Sequence, residues 1–214
     1  MREIDDTTRL ANLFECITFN SGKRYLKILG RLGFNTIETI WLSKEKLHDL
    51  PSRLETKNWK KIVIKPVVSA GGRDTMVFHP QQVHEIVHTC EKLDVAKWMV
   101  QPFANEIIEE GEYSFIFLSG KFSHCVLKKP SEGCFLTGAN RTSRNVAVTP
   151  SEKMRAQAQK VVDYFVPCIA MRVDGIKRED EFVLMEAELI EPYLYPDLSP
   201  GFSDRHAEAV IDWL

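Results

Sequence analysis

Three acidic residues, Asp174, Glu186 and Glu188, have the type and spacing to hold a divalent cation. They lie in MRVDGIKREDEFVLMEAELIEP, Met171 to Pro192, whose charged centre, Lys177 to Glu181, reads as the turn of a hairpin. Its strands would be Ile169 to Ile176 and Phe182 to Ile190. Side chains alternate faces along a strand, so Val183, Met185, Ala187 and Leu189 form an apolar side that should pack on a core. Glu186 and Glu188 share the other side with Leu184 and Ile190. With the turn centred on Glu179, Arg172 lies opposite Glu186, and Arg172 and Asp174 join the face of the two glutamates. Like charges so placed are costly unless a cation joins them. Oxygen ligands suit Mg²⁺ or Mn²⁺, and Mg²⁺ takes few carboxylates, keeping places for water and phosphate. A half-exposed strand shows the same alternation, so a solvated face of ordinary ion pairs is the second reading. The flanking aliphatic residues favour a sheltered site.

Lys65 ends another β-branched strand, Lys61 to Lys65, and Pro66 stops it because proline cannot donate to a ladder. The loop that follows carries Ser69, Gly71, Gly72 and Thr75. A strand running into such a loop can lay backbone N–H groups against phosphates, with the lysine as a point charge. Neither GxxxxGK[ST] nor GxGxxG is present, and taken alone the loop reads better as a plain turn. His84 and His88 are four apart on a helical pattern, but no third metal ligand lies near them, which favours a surface reading. Five widely spaced cysteines without a CxxC pair read as reduced thiols rather than a disulfide or zinc framework.

Around these residues the sequence predicts four helices. One runs from Ser21 to about Leu32, with Leu26, Leu29 and Leu32 apolar and Gly33 as its stop. A second opens at Pro80 and turns Val83, Ile86, Val87, Cys90 and Leu93 inward. Thr149-Pro150-Ser151-Glu152 reads as a capping box for a third, ending near Tyr164. The last starts near Ser203, with Ala207, Val210 and Ile211 facing in. Lys97 to Val100 is a strand, and Tyr113 to Leu118 and Lys121 to Lys128 form a hairpin about Ser119-Gly120. Phe115, Phe117, Phe122 and Phe135 should lie in a core or at a lobe interface, and His124 within the hairpin should pack. The order of elements suits an α+β protein with antiparallel sheets.

A formal net charge of −2 gives no basic field for nucleic acid or an acidic membrane. No apolar run is long enough to span a bilayer, and MREIDDTTRL lacks the features of a signal peptide, which argues for a cytoplasmic protein.

In this order the pieces resemble the ATP-grasp superfamily, over about Asn20 to Phe202. The stretches FNSGKRYL, IVIKPVVSAGGRDT, MVQPF, EEGEYSFIFLSGKFSHCVLKKP, RVD and LMEAELIEP look like the branch of glutathione synthetases and ribosomal-protein-S6 modification ligases. They look most like its cycloserine-biosynthesis type of ligase. The resemblance implies two α+β lobes with antiparallel sheets gripping ATP, here 21–98 and 99–214, with 1–20 a remnant of, or linker from, a preceding lobe. It matches Lys23 and Lys65 to lysines on the ATP phosphates, and Ser69 to Thr75, with Gly71 and Gly72, to the loop that closes over them. Met99 to Phe103, including Gln101, matches the strand whose backbone reads adenine. Glu112, with Glu109 as competitor, matches the ribose carboxylate, and Lys128 a basic residue near phosphate and substrate. Asp174, Glu186 and Glu188 match magnesium ligands, and Arg172 a clamp on the oxyanion or phosphate.

The implied chemistry is ATP- and Mg²⁺-dependent ligation of a small amino-acid-like carboxylate to an amine or related nucleophile, through an acylphosphate. The alternative is an ATP-binding module without ligation of its own. The sequence leaves no room for the family's front lobe, so either the chain is a fragment, or a partner chain or a homo-oligomer supplies that lobe, or catalysis has been lost. Arg141 and Arg144 stand where an Arg-Gly-Gly stretch is expected, and they face either substrate or solvent.

Overall fold

The computed structural model describes residues 10–137 and 143–214. In chain order the elements are α1 (Phe14–Asn20), α2 (Tyr25–Arg31), β1 (Ile40–Ser43), α3 (Leu50–Glu55), β2 (Ile62–Pro66), β3 (Met76–Phe78), α4 (Val83–Lys92) and β4 (Lys97–Pro102). There follow α5 (Glu106–Glu109), β5 (Glu112–Leu118), β6 (Lys121–Lys129), β7 (Arg144–Val148), α6 (Glu152–Phe165), β8 (Ala170–Arg178), β9 (Glu181–Glu188) and α7 (Phe202–Trp213). The chain divides into two compact units, Ile37–Asn105 and a discontinuous one of Met1–Thr36 with Glu106–Leu214. The expected boundary at 98/99 falls inside β4, because β2 pairs with that strand as far as Pro102.

In the unit Ile37–Asn105 the antiparallel sheet has the order β1-β4-β2-β3. Ile62, Ile64, Trp98 and Val100 point to one core, where Val83, Val87 and Cys90 of α4 cover them. Residues Pro80–Gln82 form a 3₁₀ turn that precedes α4, and the Gln82 side chain accepts from the His79 N–H at 3.0 Å. The short strands β1 and β3, four and three residues long, are too brief to show a period in the sequence.

In the discontinuous unit five antiparallel strands take the order β7-β6-β5-β8-β9. The register puts Phe115, Phe117 and Val173 on one face, where Phe115 meets Phe182 at 5.1 Å and Arg155 of α6 lies over Phe122. Buried Met154, Ala158, Val161, Val162 and Phe165 form the inner stripe of α6. The helix is capped by Ser151, whose Oγ accepts from Met154 N at 3.3 Å, so the expected box at Thr149 starts two residues early.

On the opposite face Ile116, Leu118 and Val126 pack with Tyr195, Phe202 and Ala209. The inward residues expected on the last helix are corrected: Phe202 and Ala209 are buried, whereas Ala207, Val210 and Ile211 are exposed. Arg205 and His206 take the inner positions between them. Arg205 donates to Ser199 Oγ at 2.6 Å and His206 stacks on Phe202 at 5.5 Å, which hid the stripe from an apolar pattern. The helix expected over Ser21 to Leu32 is shorter, α2 at Tyr25–Arg31, with Leu32 exposed, and a separate helix that was not expected, α1, precedes it. Gly33 has φ +89°, the left-handed stop expected there.

Candidate active site

The hairpin β8–β9 builds the site. Arg172 lies opposite Glu188, Val173 opposite Ala187, and Asp174 opposite Glu186. Past a bulge, Gly175 lies opposite Leu184, leaving Met185 as the extra residue of β9. The expected pairing of Arg172 with Glu186 is therefore off by two. The turn is tight, with Glu179 at φ +58° between the paired Arg178 and Glu181, and the bulge adds a further residue. A shift of two keeps even numbers opposite even ones, so Arg172, Asp174, Glu186 and Glu188 still share a face. The expected apolar side loses Met185, which is only half-buried. At the bulge the strands close so tightly that a Cβ on Gly175 would lie 2.3 Å from the Val183 carbonyl oxygen.

The same face continues across β5 and β6, where Ser114 lies opposite both Asp174 and Val126, and Glu112 opposite Lys128. Ser114 Oγ donates to Asp174 Oδ1 at 2.5 Å, and Arg172 donates to the same carboxylate through Nε at 3.0 Å and Nη2 at 2.8 Å. Lys128 Nζ reaches Asp174 at 3.6 Å and Glu112 at 3.1 Å, and Thr137 also donates to Glu112. Arg172 also pairs with Glu188 and donates to the Tyr193 carbonyl at 3.1 Å. Lys23 pairs with Glu186 at 2.9 Å. Acids and bases thus alternate across the face, and Asp174, Lys128 and Arg172 are all buried.

Burial pushes the Asp174 carboxyl up, but Arg172 and then Lys128 outweigh it and hold the group below the usual carboxylate range. Burial alone would lower Lys128 and Arg172, and Asp174 beside each reverses that, so both stay charged. Glu188 is the exception. Burial, then the charge of Asp174, pushes its carboxyl up to about 7 despite Arg172, which already serves Asp174. Four acids meet three bases here (Glu112, Asp174, Glu186 and Glu188 against Lys23, Lys128 and Arg172), so acidic side chains outnumber basic ones by one on this face.

Among the described residues, no group of three His, Cys, Asp or Glu could hold a metal ion by itself. The expected trio of ligands is interleaved with bases, and Asp174 is saturated by them and by Ser114. Glu186 and Glu188 each meet their base through Oε1, so a cation would take the second oxygens. The set therefore fits a metal that arrives with oxygen ligands of its own, such as phosphates.

The other expected residues lie in the unit Ile37–Asn105. Lys65 sits on β2 opposite Met99 of β4. The loop with Ser69 turns at Gly71 and Gly72, with φ +61° and +71°. Gln101 is buried, its Nε2 donating to Thr39 Oγ1 at 2.9 Å. The Phe103 N–H donates to Lys61 O at 2.8 Å, and the Lys61 ammonium lies 3.9 Å from its ring centre. Glu109, the competitor of Glu112, is exposed on α5, and His84 and His88 are exposed on α4. Arg144 is exposed at the start of β7, and Arg141 lies outside the described residues.

Sequence reasoning missed Ser114, Tyr193 and Tyr195. Ser114 was findable as a lone small polar residue inside the apolar run EYSFIFL. Tyr193 contributes only a carbonyl oxygen, and the Tyr195 ring stands 6.0 Å from the Arg172 guanidinium; neither follows a period.

A sequence model of the ATP-grasp domain of prokaryotic glutathione synthetase matches residues 36–167. No curated protein matches the chain significantly. Among solved structures, the D-cycloserine synthetase DcsG is similar over 99% of this chain and 76% of its own, at 21% identity and a TM-score of 0.84. D-alanine–D-alanine ligase from Bacillus anthracis is similar over 92% of this chain and 68% of its own, at 13% identity and TM-score 0.69. The ATP-grasp ligase PsnB, solved with a precursor variant, Mg and ADP, is similar over 98% and 64%, at 14% identity and TM-score 0.65. At these identities the likeness is one of fold. Among the described residues no helix is long and apolar enough to cross a membrane.

Proposed function

We infer the function of this chain from the family to which it belongs, that of the ATP-grasp domain of prokaryotic glutathione synthetase. The proposed activity is ATP- and Mg²⁺-dependent ligation of a small amino-acid-like carboxylate to an amine or related nucleophile. The γ-phosphoryl group passes to the substrate carboxylate, ADP leaves, and the nucleophile displaces phosphate from the acylphosphate. The observation that carries this reading is the face of alternating acids and bases around buried Asp174, on which acids outnumber bases by one.

Phosphoryl transfer asks the protein for position and fixed charge rather than covalent chemistry. Lys23 and Arg172 supply positive charge beside the glutamates, where phosphate charge would develop. Lys128 is buried against Glu112 and Asp174, so its part is to fix those acids. Glu186 and Glu188 would hold Mg²⁺ together with ATP oxygens, Asp174 lending charge from behind. When bound, such an ion would neutralise phosphate charge. In the other unit, Lys65 and the loop Ser69 to Thr75 would bind phosphates, and β4 around Gln101 and Phe103 would bind adenine.

The test is ADP release with Mg²⁺, ATP and a panel of amino acids, comparing wild type with Glu186→Gln. The expected result is release that depends on one amino-acid class and falls at least a hundredfold in the variant. Thermal stabilisation by ATP and Mg²⁺ without any release would leave a nucleotide-binding module. Neither release nor stabilisation would overturn the nucleotide reading altogether.

A further inference from the structure

β9 is an edge strand, and an edge leaves a row of backbone N–H and C=O groups without a partner strand. Residues 12–35 answer that row without forming a strand. Asn12 donates to Leu189 O at 2.7 Å. Asn20 donates to Ala187 O at 2.8 Å and accepts from Leu189 N at 3.1 Å. Asn35 O accepts from Leu184 N at 2.9 Å. Tyr25 does the most: its hydroxyl donates to Ala187 O at 3.0 Å and accepts from Ala187 N at 2.8 Å.

Ala187 is the residue between Glu186 and Glu188. In a full sheet a neighbouring strand would grip it by a reciprocal pair of bonds. Here one hydroxyl makes both, which is possible because a phenol is donor and acceptor at once. Tyr25 and Ala187 are each 2% exposed, so water does not compete. The phenol ring is fixed edge-on against Phe165, with centroids 6.0 Å apart. Lys23, two residues earlier in the chain, bonds the Glu186 carboxylate directly. The segment Asn20 to Tyr25 therefore holds both the backbone between the two glutamates and one of their side chains.

We propose that Tyr25 is a positioning residue for the cation site: its hydroxyl locks the two peptide groups flanking Ala187 and so sets where Glu186 and Glu188 point. Rotation of either peptide would re-aim a carboxylate, and a misplacement near 1 Å at such a site is felt as a large loss of function. The inference rests on the reading of the two glutamates as cation holders, and goes beyond it by naming what aims them.

Tyr25→Phe keeps the ring and removes both hydrogen bonds. Two quantities are read in the full chain: amide exchange at Ala187 by NMR, and Mn²⁺ affinity by electron paramagnetic resonance with a non-hydrolysable ATP analogue present. Ala187 should exchange at least tenfold faster, and Mn²⁺ should bind about tenfold more weakly. Affinity for the analogue without metal should be unchanged. Phe165→Leu, which loosens the ring but spares the hydroxyl, is the control for general destabilisation. Equal Mn²⁺ affinity in wild type and Tyr25→Phe overturns the positioning role, as does an equal loss in Phe165→Leu. Absence of Mn²⁺ binding in wild type instead overturns the cation reading itself, and the positioning role with it.

Discussion

Replacing Lys128 by Met would show whether the charged face is held as the structure places it. The residue is 2% exposed, and its ammonium lies 3.1 Å from Glu112 and 3.6 Å from Asp174. Met fills nearly the same stem volume, so the change is chiefly electrostatic. At an effective dielectric of about 20, unit charges about 4 Å apart attract by about 4 kcal/mol, against which the buried ammonium sets its desolvation. Removing one partner of a buried pair costs about 3–5 kcal/mol when the charge left behind has no other support. Here Asp174 keeps Arg172 and Ser114, and the Glu112 side chain, 12% exposed, can regain some water. The low end applies, about 3 kcal/mol, which at about 2–4 °C per kcal/mol lowers Tm by roughly 6–12 °C.

Urea denaturation followed by circular dichroism measures the loss, and the double variant with Glu112→Gln should restore about 1 kcal/mol of it. The pH dependence has a definite sign. Asp174 titrates below its unfolded value, so the stability it contributes is present above about pH 4 and is lost on further acidification. Without Lys128 that depression shrinks, so the deficit of the variant is largest at neutral pH and narrows below about pH 4. A loss under about 1 kcal/mol at pH 7, with no coupling to Glu112, would refute the placement of this ammonium.

Gly175→Ala should cost about 3 kcal/mol or more by thermal unfolding, because its Cβ would meet a backbone carbonyl and the Phe182 ring at once. A cost below about 1 kcal/mol would mean that the bulge relaxes freely. Ser151→Ala should cost about 1 kcal/mol in urea unfolding, through the lost cap of α6, and Ser151→Asp should retain it. Burial, with Arg205 nearby, holds the His124 imidazole below its ordinary value. The unfolded chain then binds the proton first, so stability falls as pH drops below about 6.5. His124→Gln should flatten that limb when urea midpoints at pH 7.5 and 5.5 are compared.

The charged face was legible because strand alternation is a short-range rule: Glu186, Glu188, Asp174 and Arg172 needed only their parity. Their pairing was not, since a one-residue bulge at Met185 and a tight turn at Glu179 leave parity intact while moving every partner. Gly175 marked the place, being the only residue type that could sit where Val183 O approaches. The inner stripe of α7 was misread because Arg205 and His206 occupy it, each made acceptable by a partner from elsewhere in the chain or along the helix. Lys128 was matched to a basic residue near phosphate and substrate; that it is buried against Glu112 of β5 and Asp174 of β8 depends on a strand order no local pattern reveals. Helix α6 and the β5–β6 hairpin were plain, their signals lying within a dozen residues.

The side-chain closure of the β9 edge has a consequence in time. Tyr25 and Ala187 stand 162 residues apart, and at synthesis rates of about 5–20 residues per second that separation is roughly 10–30 s on the ribosome. Through that interval α1 and α2 have no strand to grip, and β9 in turn emerges with its outer edge open. Contacts of such high sequence separation form slowly, and an open edge is a template for pairing with another chain. The hinge of successful folding is thus the late docking of an early segment. A variant weakened there, such as Asn20→Ala, should show its deficit first as lower soluble yield at high expression temperature, before any change in the thermal stability of the protein that does fold.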